Sequence, residues 1–168
     1  MRFKKIIILV SLFVLIETSH AESTYANIGV GLLDTKKIDN VGIGPMFRLG
    51  YLFNEASNSF GLEAEANPMV VKIDNNNNNS YHSNRDMAIT LASYFVYNLH
   101  IPDTQFTVRP QAGVVFPNLG DNLYEDSSSF GYGLSVIYKI KEELGIYASY
   151  GSFDSSVNHY SLGLEVSF

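Results

Sequence analysis

The chain reads as an all-β protein, an eight-stranded antiparallel up-and-down transmembrane β-barrel with a filled interior. Three observations predict this. Eight segments alternate apolar residues with polar or small ones. The connections between them are short and long by turns. Aromatic residues make up 13% and charged residues only 17% of the 168 positions, with 13 glycines. A period of two gives a strand one apolar and one polar face. No stretch beyond the first residues carries the 3.6-residue period of an amphipathic helix.

The N-terminal stretch differs from the rest. Arg2, Lys4 and Lys5 precede Ile6 to Ile16, which is apolar except for Ser11. Ser19-His20-Ala21 follows as a small-x-small cleavage pattern. These are the parts of a secretory signal peptide, expected over residues 1–21 with cleavage after Ala21. The apolar run falls short of the about 20 residues of a spanning helix. The barrel domain is then residues 22–168. It keeps 8 Lys and Arg against 16 Asp and Glu once Arg2, Lys4, Lys5 and Glu17 are set aside, a net charge near −8. Such a chain lacks the basic groups that neutralise nucleic-acid phosphates. With no cysteine, it has no disulfide framework, thiolate metal site or lipid-anchor cysteine.

The first strand, Tyr25–Leu33, turns Ile28, Val30 and Leu32 outward. Val41–Phe53 sets Ile43, Phe47, Leu49, Tyr51 and Phe53 against Gly42, Gly44, Arg48 and Gly50. Phe60–Val70 sets Leu62, Ala64 and Ala66 against Glu63, Glu65 and Asn67. Met87–Tyr97 sets Ile89, Leu91, Phe95 and Tyr97 against Ala88, Thr90, Ala92 and Tyr94. Phe106–Phe116 turns Thr107, Arg109, Gln111 and Gly113 inward. Phe130–Ile140 turns Gly131, Gly133, Ser135, Ile137 and Lys139 inward, with Ile137 out of character. Leu144–Gly151 and Asn158–Phe168 complete the set. Pro45, Pro68 and Pro110 fall inside these segments, although proline cannot donate to a β-ladder.

Most of the segments reach the about 9–11 residues that a tilted membrane-spanning strand needs. Asn54–Ser59, Leu99–Gln105 and Lys141–Glu143 are short connections. Asp34–Asn40, Asp74–Asp86 and Pro117–Ser129 are longer and more polar, and Phe153–Val157 is brief. Short turns on one side and long loops on the other form the outer-membrane barrel layout. Outward aromatics collect at two levels. Tyr51, Phe53, Phe60, Tyr97, Phe106, Tyr138 and Phe168 lie toward the short turns, and Phe116, Phe130, Tyr132, Tyr150 and Tyr160 toward the loops. Two such rims match interfacial girdles.

The ending Tyr160-Ser161-Leu162-Gly163-Leu164-Glu165-Val166-Ser167-Phe168 resembles the C-terminal signature of outer-membrane barrels. Size and loop layout resemble the small OmpA/OmpX-type barrels over essentially the whole domain. The resemblance implies the outer membrane of a Gram-negative bacterium. It makes Tyr160, Leu162, Leu164, Val166 and Phe168 the signal read by the barrel-assembly machinery. The expected partners are outer-membrane lipid and lipopolysaccharide, host or environmental surfaces, or other envelope proteins, and the expected state is a monomer.

An eight-stranded barrel has an interior just filled by side chains. Arg48, Arg109 and Lys139 point there with Glu63, Glu65 and Glu165, an expected network of three basic and three acidic groups. This reads as a plug fixing the barrel rather than as a gated channel. The strongest catalytic candidate is His159, Ser161 and Glu165 on one inward face, the parts of a hydrolytic triad. His159-Tyr160-Ser161 resembles the His-x-Ser motif of outer-membrane lipid A deacylases, also eight-stranded barrels. Those enzymes carry Asn after the Ser, where this chain has Leu162, and their motif precedes the last strand. His82-Ser83-Asn84 matches the same letters within a loop that also holds the run Asn75–Asn79. Asp121, Glu125 and Asp126 suit Ca²⁺ by ligand type and lack EF-hand spacing. No cofactor or metal set is expected. The resulting expectation is a structural or surface-interacting barrel acting through its loops. The alternatives are a lipid A-modifying hydrolase and a soluble periplasmic β-barrel carrier.

Overall fold

The computed structural model describes residues 23–35, 40–54, 58–73, 84–118, 128–153 and 157–168. The expected signal peptide, the asparagine run, His82 with Ser83, and Asp121, Glu125 and Asp126 lie outside them.

Eight strands follow one another along the chain: β1 (Ser23–Thr35), β2 (Asn40–Leu52), β3 (Asn58–Ile73), β4 (Asn84–His100), β5 (Phe106–Asn118), β6 (Ser129–Lys141), β7 (Leu144–Phe153) and β8 (Val157–Ser167). Each pairs antiparallel with its sequence neighbours, and β1 also pairs with β8, which closes the barrel. Closure leaves no sheet edge, so every strand finds backbone partners on both sides.

The strands run further than the apolar alternation. β3 and β4 remain paired through Val71↔Asp86, Lys72↔Arg85 and Ile73↔Asn84. Alternation reports where side chains change environment, whereas the ladder continues as long as backbone groups find each other.

The prolines sit where the ladders are interrupted. Between β2 and β3 the register passes from Phe47↔Ala66 to Ile43↔Val70. That unchanged register sets Pro45 opposite Pro68, so two missing donors share one gap. Between β4 and β5 the ladder breaks between Val96↔Gln111 and Leu99↔Val108. Pro110 falls in that break and keeps its pairing with Leu134 on β6. Arg109 Nε donates to Asn98 Oδ1 at 2.5 Å across the same break.

One short turn has a strained backbone. Thr104 N donates to Ile101 O at 3.2 Å around Pro102 and Asp103, and Asp103 has φ 59°. Proline second and a positive φ third is the pattern of a type II turn.

Outward residues include Ile28, Leu49, Phe95, Leu134, Leu162 and Leu164, all exposed. Inward residues alternate with them and are buried or half-buried. Leu33, Met69, Val115, Phe153 and Val157 form a buried apolar tier toward the loop end. Ile137 packs with Met46 and Tyr147 in a second buried cluster, which accounts for its inward side chain.

Candidate functional site

The inward faces of the strands deliver charge and hydrogen-bonding groups to the middle of the barrel. β2 supplies Arg48, β3 supplies Glu63, Glu65 and Asn67, β5 supplies Arg109, and β8 supplies Glu165. β1 contributes Tyr25, and β7 contributes Tyr147 and Ser149. All nine are buried because a strand's period of two turns each toward the lumen.

Arg48 reaches across the lumen. Its Nε lies 2.5 Å from Glu65 Oε2 and 3.5 Å from Glu63 Oε1. Its Nη1 donates to Ser135 Oγ on β6 at 3.1 Å, and Nη2 to Ser149 Oγ on β7 at 2.9 Å. Its guanidinium carbon stands 5.6 Å from the Tyr147 ring centroid. Arg109 makes the second crossing. Nη1 and Nη2 donate to Glu165 Oε2 and Oε1 at 2.7 and 3.1 Å. The same guanidinium lies 3.8 Å from the centroid of the Tyr25 ring. Tyr25 Oη donates to Glu63 Oε2 at 2.8 Å, and Arg109 Nη1 is 3.7 Å from that oxygen. Glu63 thereby joins the two arginine groups. Forked arginine–carboxylate pairing of this kind combines charge with fixed geometry.

Five of the six charged residues expected in the interior come together. Lys139 does not. Its Nζ lies 3.4 Å from the Glu142 carbonyl oxygen at the exposed short-turn end. It occupies an inward position near the strand terminus, and its flexible stem carries the ammonium out to water. The described interior set is therefore two arginines against three glutamates. The uncharged partners Asn98, Ser135 and Ser149 were not part of the expected network. Strand parity points them inward, but no pattern in the sequence shows that they would pair with arginine.

His159, Ser161 and Glu165 do not assemble a hydrolytic triad. Ser161 Oγ bonds Ser149 Oγ, and Glu165 is forked by Arg109. His159 Nδ1 instead lies 3.8 Å from Glu65 Oε1. All three side chains are buried inside the barrel, away from its outer surface. Among the described residues no group of three or more His, Cys, Asp or Glu could hold a metal ion.

The exterior shows the expected rims. Phe60 and Tyr97 pack at a tilt with centroids 4.5 Å apart, and Phe106 and Tyr138 do so at 5.1 Å, near the short turns. Tyr150 and Tyr160 pair at 5.3 Å toward the loops.

No family model and no curated protein matches the chain. Solved structures do. OprG from Pseudomonas aeruginosa, described as an outer membrane protein, superposes with a TM-score of 0.59 at 13% identity, covering 88% of this chain and 96% of that one. Ail, the attachment invasion locus protein of Yersinia pestis, in complex with the heparin analogue sucrose octasulfate, gives 0.60 at 16% identity, covering 87% and 98%. The N-terminal β-barrel domain of Pseudomonas aeruginosa OprF gives 0.54 at 12% identity, covering 86% and 97%. At these identities the shared property is the fold, an eight-stranded closed barrel of the kind outer-membrane proteins use.

Proposed function

We propose that the chain resides in the bacterial outer membrane as a plugged barrel. Its role there is structural or surface-interacting through the loops, and it is not an open pore. The observation that carries this reading is the pair of arginines spanning the lumen, Arg48 from β2 to β6 and β7 and Arg109 from β5 to β8. Side chains tied across so narrow an interior fill it. The exposed apolar exterior supports placement in lipid, because a water-soluble carrier barrel carries the opposite polarity.

The partners in this reading are outer-membrane lipid, lipopolysaccharide and the barrel-assembly machinery. The last would meet Tyr160, Leu162, Leu164, Val166 and Phe168, which all stand exposed on the final strand and its end. Reconstitution in planar bilayers tests the plug. Purified barrel is expected to show no large, steady conductance, and stable porin-like openings would refute it. Fractionation tests the location: release with the periplasm and no heat-modifiable migration on gels would overturn it.

A further inference from the structure

We infer that the barrel interior binds one proton, held on Glu63, so that the plug consists of two ion pairs joined by a neutral carboxylic acid. Among the described residues, the buried basic and acidic side chains are Arg48 and Arg109 against Glu63, Glu65 and Glu165, with His159 beside them. Two guanidinium groups cannot balance three carboxylates. A charge left over away from water is costly enough that a buried group takes or gives up a proton instead.

Strand register decides which carboxyl is left over. Arg48 stands directly opposite Glu65 in the β2–β3 ladder, and its Nε donates to Glu65 Oε2 at 2.5 Å. Asn67 Nδ2 donates to Glu65 Oε1 at 2.6 Å. Glu165 accepts both arms of the Arg109 fork at 2.7 and 3.1 Å. Each of these two carboxylates has both oxygens hydrogen-bonded and a guanidinium among its donors, which suits the ionised form.

Glu63 lacks that support. Its ladder neighbours are Gly50 on β2 and Tyr94 on β4, and neither brings a cation. Its Oε2 accepts from the neutral Tyr25 Oη at 2.8 Å. Its Oε1 is buried and finds no hydrogen-bond partner among the described residues. Arg48 Nε stands 3.5 Å from Oε1, and Arg109 Nη1 stands 3.7 Å from Oε2. Both distances exceed those of a charge-assisted hydrogen bond. Arg48 Nε has a single proton, already given to Glu65. A bare buried oxygen costs far less on a neutral acid than on a carboxylate.

His159 is the other group that could balance the third carboxylate, and its surroundings do not suit a cation. Nδ1 lies 3.8 Å from Glu65 Oε1, and Nε2 finds no hydrogen-bond partner among the described residues. Both nitrogens of a charged ring are donors, so an imidazolium here would be buried with neither N–H bonded. The remaining titratable side chains turned toward this layer, Tyr25, Tyr94 and Tyr147, are phenols and carry no positive charge in either form.

Infrared spectroscopy on the folded barrel in phospholipid vesicles at neutral pH tests the inference. The spectrum should contain the C=O stretch of a protonated carboxyl group, separate from the carboxylate bands, and Glu63→Gln should remove it. Glutamine copies a neutral acid in shape and charge. Glu63→Gln should therefore keep the wild-type urea midpoint, whereas Glu65→Gln and Glu165→Gln should each lower it. Should the Glu63 variant fail to fold, the carbon NMR shift of the Glu63 carboxyl in the wild-type barrel decides, standing at the value of an acid rather than of a carboxylate. Absence of the protonated-carboxyl band overturns the inference, as does a band that survives Glu63→Gln. A Glu63→Gln midpoint as low as that of Glu65→Gln would show that a Glu63 charge holds the plug, and would overturn it too. A doubly protonated His159 ring by nitrogen NMR would put the proton on the imidazole and equally refute it.

Discussion

Arg109 forks onto Glu165 while its guanidinium carbon stands 3.8 Å from the centroid of the Tyr25 ring, so one side chain ties β5 to both strands of the closing seam. Removing either charge alone leaves the other buried and uncompensated, at a cost of about 3–5 kcal/mol. Glu165→Gln and Arg109→Met should each lower the urea midpoint for unfolding in detergent micelles. The double variant Arg109→Met with Glu165→Leu should recover much of the loss. A double variant no more stable than the singles would show that the pair does not act as a unit.

Leu134 is 44% exposed on the outer face, halfway along β6 and opposite Pro110. If hydrocarbon meets that face, Leu134→Arg should destabilise the folded barrel in phospholipid vesicles by about 2–4 kcal/mol. The exposed Lys141→Arg at the short-turn end should have no measurable effect. Unaltered assembly of the position 134 variant would remove the basis for placing the chain in a membrane.

Gly50 lies directly against the Tyr25 ring, where any Cβ would strike aromatic carbons. Tyr25 cannot yield easily, because its hydroxyl is bonded to Glu63 and its face is covered by Arg109. Gly50→Ala should therefore cost about 1–3 kcal/mol by overpacking. Adding Tyr25→Phe should not restore stability, since the ring remains. Thermal unfolding followed by heat-modifiable migration measures both.

The turn at Pro102 and Asp103 offers a test away from the interior. Asp103 holds φ 59°, which glycine or asparagine adopts readily and a β-branched residue does not. Asp103→Val should destabilise by about 1–2 kcal/mol, whereas Asp103→Asn should leave the urea midpoint unchanged. Equal midpoints for the two variants would mean that the turn relaxes without cost.

Much of the fold was legible because strand parity is a local property. Leu162, Leu164 and Val166 read as outward and Ser161 and Glu165 as inward from period alone, and the structure places them so. Parity also put Arg48, Glu63, Glu65 and Arg109 in the interior. It did not say that Lys139, on the same inward face, would leave the network for the rim. Parity fixes the direction of a Cα–Cβ bond, and a long flexible stem decides the rest. The triad reading of His159, Ser161 and Glu165 failed for a related reason. A shared face on one strand gives proximity in one dimension, while the partners that claimed those groups came from β3, β5 and β7.

The amino-acid sequence by itself determined the strand count, the polarity of the two faces and the aromatic rims, since each follows from alternation along a single segment. Only the tertiary structure decided which arginine meets which glutamate, and how Pro45, Pro68 and Pro110 are tolerated. Those outcomes depend on the register between strands far apart in the chain. Closure of β1 onto β8 sets that register for the whole barrel at once.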